Sequence, residues 1–317
     1  MVQITRPGKA IRPKSFTRRS GFRLFLLTSP FLLITFVFCY LPLLGWSISF
    51  FDYKAGFKLF NTPFVGFKYF LIPFANEVLR DDLFRVLGNT IVMSLLNLLV
   101  STVMPMMFAV LLQEINARPY RKMVQVLTTI PHFISWVLVY SLVWAFFSLN
   151  DGFVNHLLVD LGVVKDPIPF LGTNKNVWLT QWAYNIWKNL GWSAIMFISA
   201  LTSIDAEMYE AAKIDGAGRY AQMFHITIPC LMPTFFVLLV LNIGNLLNNG
   251  MEQYYIFQTA MNKQSIEVLD LYVFNQGIRG NHISYSTAVG MLKSLISLVL
   301  LYSANRLSKT IRGESVF

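Results

Sequence analysis

The chain has 317 residues, 55% of them hydrophobic and 13% charged, with a mean hydropathy of +0.53. Soluble domains carry about 25% charged residues, so this chain lacks the polar groups to cover a water-facing surface. Its composition excludes a disordered chain, a collagen-like repeat, a coiled coil and an ordinary soluble enzyme. The net charge of +10 suits a polytopic membrane protein with Lys and Arg in its cytoplasmic loops better than a nucleic-acid binder.

Charge-free runs locate the spans. Runs of 28 residues without Asp, Glu, Lys or Arg separate Arg23 from Asp52, Arg85 from Glu114, and Lys122 from Asp151. About 20 apolar residues cross a bilayer, and lipid forces such a run to be helical because no water satisfies its backbone. Further along, Lys188 interrupts a run from 177 to 201, the stretch 220–251 is charge-free, and Lys293 interrupts a run from 284 to 305. The expected fold is all-α: a polytopic bundle of six spans at 24–50, 89–112, 123–147, 178–201, 233–250 and 284–305. The first run is too long for a cleaved signal peptide and no small-residue cleavage site follows it; Pro30 and Pro42 are expected to kink it rather than end it.

Charge sets the orientation. Residues 1–23 hold seven Lys/Arg and no acid. With that tail inside, the inner segments 1–23, 113–122, 202–232 and 306–317 hold 15 Lys/Arg against nine in the longer outer segments. The positive-inside rule then places both termini in the cytoplasm, as a basic tail 1–23 and a short tail 306–317 flanking a permeating domain 24–305.

Several chemistries lack their residues. There is no Walker-type G-x-x-x-x-G-K-[ST], no H-E-x-x-H and no G-x-S-x-G. Cys39 and Cys230 have no metal-ligand spacing, and His132, His156, His225 and His282 are scattered. No cofactor or metal is expected. No intramembrane Asp or Glu pair offers proton coupling, so an ion-coupled secondary carrier is the weaker alternative, and an intramembrane enzyme lacks a dyad.

The cytoplasmic loop at about 205–233 is the most informative segment. Asp205 is a candidate N-cap with Glu207 in the first turn, Ala206 to Ile214 are mostly helix formers, and Asp215-Gly216 stops the helix at a left-handed position. A second short helix, about 219–227, is expected to end before Pro229 and Pro233. Glu210-Ala211-Ala212-x-x-Asp215-Gly216-Ala217, followed by Ile228-Pro229-x-x-x-Pro233, resembles the EAA loop of bacterial ATP-binding-cassette (ABC) importer permeases. Pro131-His-Phe-Ile-Ser135, Gly152-x-x-Asn155, Ile186-Trp-Lys188-x-x-Gly191, Glu252-Gln253-Tyr254 and Tyr285-Ser-x-Ala288-x-Gly290 are similar to the polysaccharide-type sugar permeases, and within that group to the first permease subunit of alginate importers.

That resemblance implies a non-catalytic subunit of a bacterial inner membrane. Glu210, Ala211, Ala212, Asp215, Gly216 and Ala217 would form a coupling helix docking on an ATPase subunit. The implied partners are a second permease subunit, two ATP-hydrolysing subunits, an extracytoplasmic substrate-binding protein and an oligo- or polysaccharide.

The residues themselves suggest a path. Asn242, Asn245 and Asn249 are spaced to share one face of a helix, where amides suit hydroxyls and carboxylates and equally suit interhelical hydrogen bonds. Lys188 and Lys293, the only formal charges inside the expected spans, could attract an anionic chain or could snorkel or pair with a neighbour.

Overall fold

A computed structural model describes residues 16–171, 173–174 and 176–312. Arg6, Lys9, Arg12 and Lys14 of the expected basic tail, and residues 313–317 of the expected C-terminal tail, lie outside the described residues. The chain divides into two compact units, Met1–Ile48 and Ser49–Phe317.

In the first unit, α1 (Phe16–Thr35) carries Pro30 inside it and continues through a π-helical turn, Phe36–Tyr40, into a 3-10 stretch, Leu41–Phe50. The hydroxyls of Thr28, Ser29, Thr35 and Ser47 are turned back on the helix, as in Thr28 Oγ1 to the Leu24 carbonyl at 3.0 Å, so they do not face lipid unpaired.

The second unit begins with α2 (Lys68–Ala75), where Tyr69 donates to Asp52 at 2.5 Å. Burial and the adjoining carboxylate push that phenol up to about 12. The next helix, α3 (Glu77–Leu98), is capped by Asn76 and runs through a π turn, Leu99–Val103, into α4 (Met104–Gln113). It therefore starts twelve residues before the expected span, because Arg80, Asp81, Asp82 and Arg85 lie in its first turns.

Span three is not one straight helix. Helix α5 (Arg118–Thr129) passes into a 3-10 turn, Ile130–Phe133, and the chain bends by 106° before α6 (Trp136–Phe147). Pro131 withholds a donor, and Ser135 restarts the helix by accepting from the Leu138 N–H at 3.4 Å. Helix α7 (Phe153–Asp160) follows, then α8 (Val177–Thr202), then α9 (Ala206–Ile214).

The short helix expected to end before Pro229 does not end there. Helix α10 (Arg219–Gln222) continues through a π turn, Met223–Thr227, into α11 (Ile228–Gly244), with Pro233 inside. Three π turns each sit just before a proline: Pro42, Pro105 and Pro229. The extra residue widens the turn where the pyrrolidine ring would meet the carbonyl four residues back, so the helix continues through a residue that normally stops it.

The segment 251–283, expected on the outer side, folds into α12 (Glu252–Phe257), α13 (Lys263–Ile266) and α14 (Leu269–Phe274). It is packed as core, with Tyr254, Ile266, Val268 and Leu271 buried against Met93 of α3 and Val139 of α6. Helix α15 (Ile283–Arg312) closes the chain and runs as helix through most of the expected tail at 306–317. A second core at the other end joins Ala109, Val110, Phe197, Leu201 and Leu231 of α4, α8 and α11.

Among the described residues there is no β-strand. Four helical stretches are long and apolar enough to cross a membrane: Gly21–Phe50, Glu77–Gln113, Arg219–Gly244 and Ile283–Thr310. The bent pair α5–α6 makes a fifth candidate. Helix α8, with 26 residues, rises about 39 Å but is more polar.

Candidate functional site

A cavity of about 260 Å³ opens between α3, α8 and the C-terminal end of α11. Its polar wall consists of Ser94, Asn97, Ser101, Asn185, Asn189 and Ser193, facing Asn242, Asn245, Asn248 and Asn249. None of its lining residues is titratable.

Asn242, Asn245 and Asn249 do reach one site, though not as a helical stripe. Helix α11 ends at Gly244, Asn245 is its C-cap, and the chain turns from there to Gly250, which has φ +77°. Gly244 itself packs against Leu301 of α15, which a Cβ would approach to 2.5 Å. The turn brings in Asn248, which donates to Asn245 Oδ1 at 3.2 Å.

Four of the amides form a directed chain. Asn189 donates to Asn185 at 2.8 Å, Asn185 to Asn97 at 2.9 Å, and Asn97 to Asn249 at 3.2 Å. Asn249 donates to Ser94 Oγ at 2.8 Å and to the Thr90 carbonyl at 3.1 Å, and Ser94 donates to the Leu246 carbonyl. A backbone carbonyl can only accept, so the Thr90 and Leu246 carbonyls fix the direction of every link. At the far end Asn189 Oδ1 must accept, so His132, 3.0 Å away, donates through its Nδ1–H. Backbone acceptors at one end of this row thereby make a histidine behind its other end, outside the cavity lining, a donor through Nδ1.

Lys188 does not line the cavity. Its ammonium donates to the carbonyls of Pro131 at 3.3 Å, His132 at 2.8 Å and Ile134 at the bend between α5 and α6, where only Pro131 also accepts from a backbone donor, the Ile134 N–H at 3.2 Å. It also sits over the Trp136 ring at 5.5 Å. One turn on, Gly191 lets α8 approach the same break, since a Cβ there would stand 2.3 Å from the Thr128 carbonyl oxygen. The Ile186-Trp-Lys188-x-x-Gly191 spacing thus holds a broken helix in place. The ring of His132 stacks on Trp192 at 4.4 Å and completes the contact.

Lys293 is also outside the cavity wall. It pairs with Asp270 of α14, whose other oxygen accepts from the Gly250 N–H at 3.0 Å. This ion pair anchors the turn that carries the asparagines. A charge in an expected span thus found a carboxylate in the segment between two expected spans, a partner the hydropathy pattern could not reveal.

The loop at 205–233 has the anticipated local geometry. Asp205 accepts from the Glu207 N–H at 3.0 Å. At the other end of α9, Gly216 has φ +83°, its N–H donates to Lys213 at 3.1 Å, and the Ala217 N–H donates to Ala212 at 2.8 Å. That is a Schellman termination. Glu210, Ala211 and Asp215 are exposed and Ala212 and Ala217 half-buried. The exposed side also carries large residues, with Ile214 at 87% and Tyr220 at 79% exposure, so it is not uniformly small.

Sequence reasoning missed Asn97, Asn185, Asn189 and His132. A signal existed for two of them: Asn185 and Asn189 are four apart on α8, hence on one face.

The sequence profile of the binding-protein-dependent transport system inner membrane component matches residues 101–313. Protein LplB of Bacillus subtilis (strain 168) is 38% identical over 312 residues, covering 98% of this chain and 95% of that protein. The polygalacturonan/rhamnogalacturonan transport system permease protein YteP of the same organism is 37% identical over 294 residues, covering 93% and 90%. A chain in the crystal structure of a bacterial ABC transporter involved in the import of the acidic polysaccharide alginate superposes with a TM-score of 0.82 at 31% identity, covering 93% of this chain and 98% of that one. The chain therefore belongs to the family of binding-protein-dependent transport system inner membrane components, the non-catalytic permease subunits of ABC importers.

Proposed function

We propose that this chain forms half of a translocation path for oligosaccharides or polysaccharide fragments, acidic ones included, in a bacterial cytoplasmic membrane. The observation that carries this reading is the cavity with seven asparagines and no titratable group. Amides offer donors and acceptors to hydroxyls and carboxylates without the high charge that would hold a sugar too tightly for release. Relatives importing alginate and polygalacturonan support the substrate class. An ion-coupled carrier finds no support in a family of ABC permeases.

In this reading the complex contains a second permease, two ATPase subunits and a substrate-binding protein, and α9 is the coupling helix. Its connection to the cavity is mechanical. Tyr209 hydrogen-bonds Thr227 at 3.0 Å and Gln222 donates to the Ala217 carbonyl at 2.8 Å, so α9 and α10 move together. The helix from Arg219 to Gly244 then leads directly to Asn242 and Asn245. A displacement of α9 on ATP binding would shift one wall of the cavity against the other, as alternating access requires.

Replacing Asn242, Asn245 and Asn248 together by Ala is expected to lower uptake of an acidic oligosaccharide into reconstituted vesicles by about tenfold or more, the equivalent of about 1.4 kcal/mol of lost stabilisation in the rate-limiting step. Uptake at the parental rate, by a complex that still assembles on size-exclusion chromatography, would show that these amides serve only packing.

The proposed topology has six spans and both termini inside. With Cys39 and Cys230 replaced, a cysteine at exposed Asp151 is expected to react with an impermeant maleimide from outside and one at exposed Lys309 only after permeabilisation. The reverse pattern inverts the protein. Asp151 serves better than Gly152, whose Cβ would meet the Ser148 carbonyl oxygen at 2.3 Å.

A further inference from the structure

A second and larger cavity, about 710 Å³, lies where α13, α14 and the turn after them meet the first turns of α3. It shares no lining residue with the asparagine cavity. Its floor is an ion pair buried on the acid side: Arg85 binds Glu267 at 3.1 Å, with the Glu267 side chain 4% exposed, and also donates to the Gln264 carbonyl at 2.9 Å. Asn275 donates to the other Glu267 oxygen at 2.9 Å.

Two groups around this cavity are left over. The Gln258 Nε2 donor and the Asn275 Oδ1 acceptor are both shielded from solvent and lack a hydrogen-bond partner. Neither is cheap to leave unpaired. A small rotation of either side chain toward the cavity would bring it to a sugar hydroxyl, which both donates and accepts and so can satisfy one of each kind. Two cations stand beside them. Exposed Lys263 makes no ion pair among the described residues, and Arg279 is held over the Tyr255 ring at 4.9 Å by a 3.0 Å bond to its hydroxyl, which leaves other guanidinium N–H groups unused. Arg85 is neutralised by Glu267 and Asp82, so the lining as a whole carries one excess positive charge.

From these features we infer that the cavity is a second saccharide subsite, selective for a uronic-acid unit, whose carboxylate is held by Lys263 and Arg279 and whose hydroxyls pair with Gln258 and Asn275. The inference rests on the permease reading above, which puts 251–283 on the outer side. It would hold the acidic chain at the mouth, before the neutral asparagine cavity. That division of labour answers a difficulty created by Lys188 and Lys293: both are engaged elsewhere, so charge recognition has to occur outside the spans.

The test uses the assembled complex in lipid vesicles without the binding protein, with Cys39 and Cys230 replaced and Gln276→Cys introduced in the cavity lining. Trigalacturonate at millimolar concentration is expected to slow labelling by an impermeant maleimide about fivefold, which corresponds to about 80% occupancy. Its carboxyl-reduced neutral analogue is expected to leave the rate unchanged, and Lys263→Ala with Arg279→Ala is expected to abolish protection. External labelling with no protection by trigalacturonate overturns the subsite and leaves the permease reading standing. Equal protection by the neutral analogue overturns the charge selectivity. Labelling from the inside alone overturns the orientation, and the subsite with it.

Discussion

Replacing Gly216 by valine is expected to abolish saccharide-stimulated ATPase activity of the assembled complex while the chain still inserts. Gly216 sits at φ +83° with nothing within 4 Å of where a Cβ would stand. The obstacle is therefore conformational and not steric. An L-residue in the left-handed region costs about 1–2 kcal/mol, and a β-branched one more. The substitution should release the two Schellman hydrogen bonds and let α9 swing relative to α10. Asparagine, which tolerates this conformation, supplies the control: Gly216→Asn should retain most of the stimulation. Parental stimulation in Gly216→Val, or equal loss in both variants, would remove the coupling role from this turn.

Lys188→Met is the second substitution expected to have a large effect. It keeps the side-chain length and removes the three donors that satisfy the Pro131, His132 and Ile134 carbonyls. Pro131 keeps the Ile134 N–H, so His132 and Ile134 are the carbonyls orphaned; each costs about 1–3 kcal/mol where water is scarce, partly offset because the buried ammonium no longer has to be desolvated. The expected outcome is a Tm in detergent lowered by about 5–10 °C, from a net loss of a few kcal/mol, together with slower uptake of acidic and neutral sugars alike. An unchanged Tm with only acidic uptake impaired would return Lys188 to the transport path and remove it from the helix break.

These two residues also show how far the sequence could be read. Gly216 was legible because its constraint is local: Asp-Gly after a run of helix formers implies a left-handed stop whatever packs nearby. Four of the expected spans, five with the bent pair α5–α6, were legible for a similar reason, since lipid leaves a charge-free run few options. Lys188 and Lys293 were not. Their partners, the carbonyls of a broken helix and Asp270 in the segment between two expected spans, lie far along the chain, and hydropathy carries no information about such pairings. The prolines misled in the opposite direction. Pro229 reads as a helix stop, but the π turn before it lets the helix continue, so the expected two-helix hairpin became a hairpin joined to a span. Asn242, Asn245 and Asn249 were grouped on the assumption of one helix; the turn after Gly244 brought them together by a different route.

The absence of titratable groups from the asparagine cavity has a consequence for membrane energetics. If the cavity is the proposed sugar passage it also admits water, and a carboxylate or an imidazole on its wall would give that water a group on which protons bind and exchange. An amide gives up or gains a proton only through an imidic acid tautomer, which is far out of reach near neutral pH. The directed row from Asn189 to Ser94 fixes the wall amides in one donor–acceptor sense, so they cannot readily turn over and reset as a relay must. The proton tightness of the proposed path then rests on its two ends, which alternating access does not open together, and no side chain of the wall is available to carry a proton between them.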